Sequence, residues 1–201
     1  RLLFSLIFFV IFFASYSNKY LLFILGTLIY LLVFYEIFKF FKNFFYLILI
    51  YLFSSFFCFT LYIFVFFDYL IFNIFVFTII LFDSFSFFTG KLFGKSYILK
   101  FLSPKKTLEG YFGGIFFTNV FFISYFYFMQ IELKFISLAI FLNLIIFISI
   151  IGDLIESYFK RKNNIKDSSK YIPGHGGYFD RFDSFIASII ILILFNFILN
   201  L

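Results

Sequence analysis

Asp153, Glu156, Ser157 and Lys160 recur at intervals of three and four residues, so a helix running through them carries all four on one face. Asp180 and Asp183 repeat the three-residue interval further on. The chain around them is apolar, and an ionised carboxylate at a lipid boundary is costly unless it is paired, hydrated or metal-bound. Asp153, Asp180 and Asp183 are therefore expected to face a common polar cavity. Hard carboxylate oxygens suit Mg²⁺, which keeps waters and takes one or two protein carboxylates together with substrate phosphates. On spacing alone, Asp180-Arg181-Phe182-Asp183 fits an ordinary helix start equally well, with a local ion pair and Asp183 or Ser184 as the cap.

Between these carboxylates lies Pro173-Gly174-His175-Gly176-Gly177. Its glycines allow positive φ and close approach of a phosphate to backbone N–H groups, so the turn is a candidate anion cradle, although a plain tight turn has the same composition. His175, the only histidine, is assigned an orienting or phosphate-contacting role. No Ser/His/Asp or Cys/His nucleophilic arrangement and no Gly-x-x-x-x-Gly-Lys-Ser/Thr loop is present. The single cysteine, Cys58, forms neither an internal disulfide nor a cysteine metal site.

The elements that must position these groups are membrane helices. Apolar residues make up 64% of the chain, charged residues 13%, and the mean hydropathy is +1.11, which leaves too little polar surface for a soluble globule. A bilayer core of roughly 30 Å takes about 20 helical residues per crossing. On that length the sequence predicts an all-α, polytopic bundle of about seven spans, at 2–16, 20–35, 44–67, 69–88, 111–129, 134–155 and 184–200. Asp68 supplies the turn between the third and fourth. Residues 2–16 count as a span rather than a signal peptide because no small-residue cleavage site follows. Two polar segments interrupt the pattern, Thr89 to Gly110 and Gly152 to Asp183. With seven spans, every basic residue except Lys19 and Lys134 falls on one side of the membrane, and both polar segments are expected to be cytoplasmic. Any inner-membrane protein shows some bias of this kind and attracts anionic headgroups.

Taken together, Ser157, Lys160, Arg161, Lys166, Asp167, Pro173, His175, Gly176, Gly177, Asp180, Arg181 and Asp183 resemble the signature of the phosphatidate cytidylyltransferase family. Ser103-Pro104-Lys105-Lys106-Thr107-Leu108-Glu109-Gly110, with Gly113 and Gly114, is similar to a second block of that family. Asp83, Gly90 and Phe93-Gly94-Lys95 resemble the segment just before it. The resemblance covers roughly residues 80 to 201. The chain departs from the pattern at Tyr178 and Phe179, usually aliphatic, at Phe85 to Phe87, and at Lys91, usually Arg, where a bidentate phosphate fork is lost.

The resemblance implies an integral membrane enzyme of the cell (inner) membrane that transfers the cytidylyl group of CTP to phosphatidic acid at the cytoplasmic face. The products are CDP-diacylglycerol and pyrophosphate, and the reaction depends on Mg²⁺, with a second, monovalent cation left open. It places Asp153 and Asp180 on the metal, with Asp183 as a further ligand or neighbour of the ligands. Asp153, Lys160, Asp180 and Asp183 form the catalytic set. Ser103, Lys105, Lys106, Ser157, Arg161, Lys166, Asp167, His175, Gly176, Gly177 and Arg181 form the substrate-binding set, in which Ser103 and Pro104 begin a helix. The partners implied are CTP, phosphatidic acid and membrane lipids, with a homodimer admitted and no nucleic acid. Residues 1–80 are read as N-terminal spans and 81–201 as the catalytic region, one continuous membrane domain. Two alternatives stay in view. One is a CTP-dependent polyprenol or phytol kinase; the other is a non-enzymatic transporter or scaffold, which should carry polar residues within several spans.

Overall fold

A computed structural model describes residues 18–97, 106–130, 135–169, 171 and 176–199. Within them the chain is helical: α1 (Lys19–Phe40), α2 (Phe45–Leu61, continued by a π-helical turn Tyr62–Phe66), α3 (Tyr69–Phe93), α4 (Leu108–Met129), α5 (Phe135–Lys162), α6 (Phe179–Ser188) and α7 (Ile190–Leu199). An isolated bridge between Tyr97 and Thr107 ties the ends of the α3–α4 connection.

Helix starts follow from local chemistry. The Asn18 side chain accepts from the Tyr20 N–H to open α1, and Asp68 turns the chain and caps α3 by accepting from the Ile71 N–H at 3.0 Å. Thr107 caps α4 through the Gly110 N–H. The last turn of α5 carries Lys160, Arg161 and Lys162 against its negative dipole end.

Five of these helices, α1, α2 with its π turn, α3, α4 and α5, are long and apolar enough to cross a membrane. The expected span 2–16 lies outside the described residues. The expected span 184–200 starts earlier than the sequence predicts and is two ten-residue helices broken at Ile189. There the Ser188 hydroxyl donates back to the Ser184 carbonyl, a competition that bends helices. The predicted cap at Asp183 or Ser184 does not form either. The helix begins at Phe179, and the N–H groups of Tyr178 and Phe179 are taken by Glu36 of α1.

The core draws on all seven described helices around Ile37, Ile48, Phe59, Tyr62, Phe75, Phe122, Phe141, Phe179 and Leu192, all fully buried or nearly so. The outer faces are equally apolar, with Phe38, Tyr46, Ile50 and Leu92 largely exposed. A molecule apolar on both sides of its wall is built for lipid. Small residues let the helices approach: a Cβ on Gly110 would stand 3.1 Å from the Gly90 Cα, which fixes α4 against α3. A Cβ on Gly26 would run into the Phe59 ring, itself packed on Phe23, Tyr30 and Phe185 and unable to swing aside. Gly26→Ala is accordingly expected to destabilise the bundle by about 1–3 kcal/mol. A lowered thermal unfolding midpoint in detergent would show it, and an unchanged midpoint would contradict the close packing.

The connections after α1, α3 and α5 gather at one end. The Asn163 side-chain oxygen accepts from the N–H groups of Lys42 and Asn43, Asn43 donates to the Lys162 carbonyl at 2.8 Å, and Lys39 donates to the Tyr171 hydroxyl at 2.8 Å. At that same end lies the polar cavity described below. The two basic segments thus share one end of the bundle, as an even number of crossings between them requires.

Candidate functional site

Four parts of the chain meet around a cavity of about 510 Å³. The C-terminal half of α3 contributes Asp83, Ser86, Gly90 and Lys91; the α4 entrance adds Lys106, Thr107 and Tyr111. The end of α5 adds Asp153, Glu156, Ser157 and Lys160, and the first turns of α6 add Asp180, Arg181 and Asp183. The polar stripe predicted on α5 therefore forms one wall, and the i, i+3 pair of α6 faces it.

The α4 entrance is held firmly. Glu109 accepts from the N–H groups of Lys95 and Ser96, and the Leu108 N–H donates to the Ser96 carbonyl at 2.8 Å. This closes the connection onto itself and delivers Lys106 to the cavity, where its ammonium pairs with Asp153. Burial by itself would lower the Lys106 pKa; the Asp153 charge outweighs it, and the pKa is raised. The other Asp153 oxygen accepts from the Ser184 hydroxyl at 3.1 Å.

On the facing side Lys160 bridges two carboxylates, 2.6 Å from Glu156 and 2.7 Å from Asp180. The second Asp180 oxygen accepts from the N–H groups of Ser168 and Gly177, each at 2.9 Å. Burial raises the Asp180 pKa, while the Glu156 carboxyl, Lys160 and the Gly177 N–H outweigh it and bring the value down to about 2. Because the folded value lies below the ordinary 3.8, the stability Asp180 contributes is complete above that pH and is lost as pH falls through about 2.

Asp153, Ser157, Lys160, Asp180, Arg181, Asp183 and Lys106 all line the cavity. Lys166 and Asp167 do not: they are exposed in the connection after α5. Arg161 is also outside the lining and donates to the Ile165 carbonyl at 3.4 Å. Ser103, Lys105, His175 and the Ser103-Pro104 helix start lie outside the described residues. Of the expected Gly-rich cradle, Gly176 and Gly177 are described and Gly174 is not. Gly176 does adopt positive φ, at 84°, but the Gly177 N–H is occupied by Asp180, and a Cβ on Gly177 would strike Ser168 and the Glu36 carboxylate.

Sequence reasoning passed over Glu36, although it is the only acidic residue before Asp68 and sits in an otherwise apolar stretch. It also left Glu156 on the stripe without a role, and Tyr111 unnamed.

A divalent cation is compatible with this donor set. Asp153, Asp180 and Asp183 present hard oxygens to one cavity, and Mg²⁺ needs only one or two of them alongside phosphates and water. No group of three such donors converges into a closed cage among the described residues, and the ammonium groups of Lys106 and Lys160 stand against the carboxylates as cations in their own right. The arrangement can hold polyanions over a carboxylate floor, with Lys91, Lys106, Lys160 and Arg181 supplying positive charge.

Comparison with known proteins agrees with this chemistry. A phosphatidate cytidylyltransferase of Staphylococcus aureus is 41% identical over 105 residues, 52% of this chain and 40% of that protein. Proteins of the same name from Bacillus subtilis and Pseudomonas aeruginosa are 40% and 42% identical over similar stretches, each covering 39% of the relative. The chain thus aligns with about two fifths of the length of these relatives. The model of the Cytidylyltransferase family matches residues 1–199, and this chain belongs to that family.

Proposed function

We propose that the chain is a phosphatidate cytidylyltransferase, which makes CDP-diacylglycerol and pyrophosphate from CTP and phosphatidic acid. The observation that carries the proposal is the convergence of two distant polar segments on one cavity at one end of an apolar bundle, where carboxylates of α5 and α6 face lysines from both segments. Both substrates are polyanions, and one of them is a lipid. A basic, carboxylate-floored mouth at the end of lipid-embedded helices suits both.

Asp153 and Asp180 would hold Mg²⁺, with Asp183 as a further ligand or neighbour of the ligands. When bound, the ion would neutralise charge developing on the phosphate oxygens. The chain's own residues then position and neutralise. Lys106, Lys160 and Arg181 draw the triphosphate and the lipid phosphate together, and Ser157 lines the wall between them. A phosphatidate oxygen attacks the α-phosphorus of CTP in line, forming the new P–O bond as the bond to the bridging oxygen breaks and pyrophosphate leaves. A phosphate monoester is already a competent nucleophile, so no side chain needs to form a covalent intermediate. The positive-inside rule supports a cytoplasmic location for the Lys-rich end, in the cell (inner) membrane. Every described cavity-lining residue lies between Asp83 and Asp183, which supports residues 81–201 as the catalytic region; the one-sided distribution of basic residues in the sequence favours a bundle of about seven crossings around it.

Lys106→Ala should raise the KM for CTP or phosphatidate by about 10- to 100-fold, the scale of one charge-assisted hydrogen bond. Unchanged dependence on both substrates would remove Lys106 from the site. The proposal itself is tested by incubating the membrane-embedded protein with phosphatidic acid, CTP and Mg²⁺. A CDP-lipid with equimolar pyrophosphate is the expected result. Release of CDP would instead indicate a lipid kinase, and the absence of any lipid product would contradict both.

A further inference from the structure

Glu36 lies one turn from the end of α1, fully buried, in a helix that contributes nothing to the cavity lining. Each of its oxygens accepts two hydrogen bonds. One takes the Ser169 hydroxyl and the Tyr178 N–H at 2.8 Å; the other takes the Ser168 hydroxyl at 3.1 Å and the Phe179 N–H at 3.0 Å. The carboxylate therefore stands at the positive end of α6 and staples the connection after α5 to the first residues of α6. The same two stretches supply the Ser168 and Gly177 N–H groups that hold the Asp180 oxygen facing away from Lys160. Nothing larger than hydrogen fits at Gly177 between Glu36 and Ser168, so the staple and the Asp180 cradle share one backbone.

We infer that Glu36 is a positioning residue for Asp180: through the backbone of residues 168 and 177–179 it sets the orientation in which Asp180 meets a cation in the cavity. This rests on the assignment of Asp180 as a metal-facing carboxylate, but not on the identity of the reaction. A buried carboxylate with four donors also serves folding, so the test needs a readout that folding alone would not move. Glu36→Gln keeps the shape but turns an NH₂ group towards N–H and hydroxyl donors. The Ser168→Ala, Ser169→Ala double variant removes two donors and leaves the main-chain pair, which makes it the milder variant should Glu36→Gln fail to fold.

Two measurements on protein in lipid nanodiscs decide the matter, with Mn²⁺ as the probe. Amide hydrogen exchange at Tyr178 and Phe179 should rise by about tenfold or more in Glu36→Gln, and less in the serine double variant. Mn²⁺ affinity, read by electron paramagnetic resonance, should fall by about 10- to 100-fold, the usual effect of losing a group that orients a metal ligand. Faster exchange with unchanged Mn²⁺ affinity would overturn the inference and leave Glu36 as a fold contact only. Unchanged exchange would overturn it as well. Neither readout uses turnover, so failure of the unaltered chain to make a CDP-lipid would overturn the proposed reaction while leaving this test in force.

Discussion

Asp180→Asn is expected to lower kcat/KM for cytidylyl transfer by about 10³-fold, the scale on which removing a preorganised charge-stabilising group acts. The protein should still insert and fold. The Asn side-chain oxygen can continue to accept from the Ser168 and Gly177 N–H groups, so the connection after α5 keeps its anchor. Lys160 keeps Glu156, 2.6 Å away, as its partner. What is lost is the negative charge facing the cavity, and with it one of the two carboxylates proposed to share a cation. The lost charge should also lower the thermal midpoint modestly, so turnover is measured on detergent-extracted protein well below the variant's midpoint, which separates the two effects. Near-normal transfer would remove Asp180 from the metal.

Lys160→Met should be damaging for a different reason. Lys160 is 12% exposed, and the two carboxylates it joins, Glu156 and Asp180, are 3% and 10% exposed. Removing the shared cation leaves two buried acids facing each other, a change that typically costs about 3–5 kcal/mol in stability. A marked drop in the thermal midpoint is expected together with loss of activity. Adding Glu156→Gln to Lys160→Met should recover much of the midpoint, because it replaces one of the two buried acids with a neutral group, but not the activity. If Lys160→Met left the midpoint unchanged, the bridge would not be the element that holds α5 against α6.

Much of the site could be read from the order of residues along the chain, because helical spacing maps directly onto a face. Asp153, Glu156, Ser157 and Lys160 are neighbours on α5 for that reason, and all four line the cavity. Asp68 was legible as a turn because a lone carboxylate between two apolar runs has few other places to go, and it caps α3. The meeting of the two polar segments followed from charge asymmetry, which fixes the parity of crossings between them without specifying any contact.

What stayed hidden depends on long-range partners. Glu36 binds residues more than 130 positions away, and nothing in its neighbourhood signals Ser168, Tyr178 or Phe179. The same contact explains the misplaced start of α6. Asp183 and Ser184 look like caps because such residues usually serve their own helix, yet the cap is supplied from α1. Gly177 was readable as a site of close approach, but spacing could not reveal that the approaching group is an internal carboxylate. The break at Ile189 arises from the Ser188 hydroxyl competing for the Ser184 carbonyl inside an apolar run, where hydropathy sees only a continuous span.

The shared cation is the point on which the account turns, and a Mn²⁺ titration of the nanodisc-embedded protein in the presence of CTP, compared across the unaltered chain, Asp153→Asn and Asp180→Asn, tests it most directly. The account predicts one tight site in the unaltered chain that each substitution weakens on its own, since α5 and α6 would contribute to the same ion. Retention of the full affinity by either variant would contradict it, because the two carboxylates would then serve separate places in the molecule.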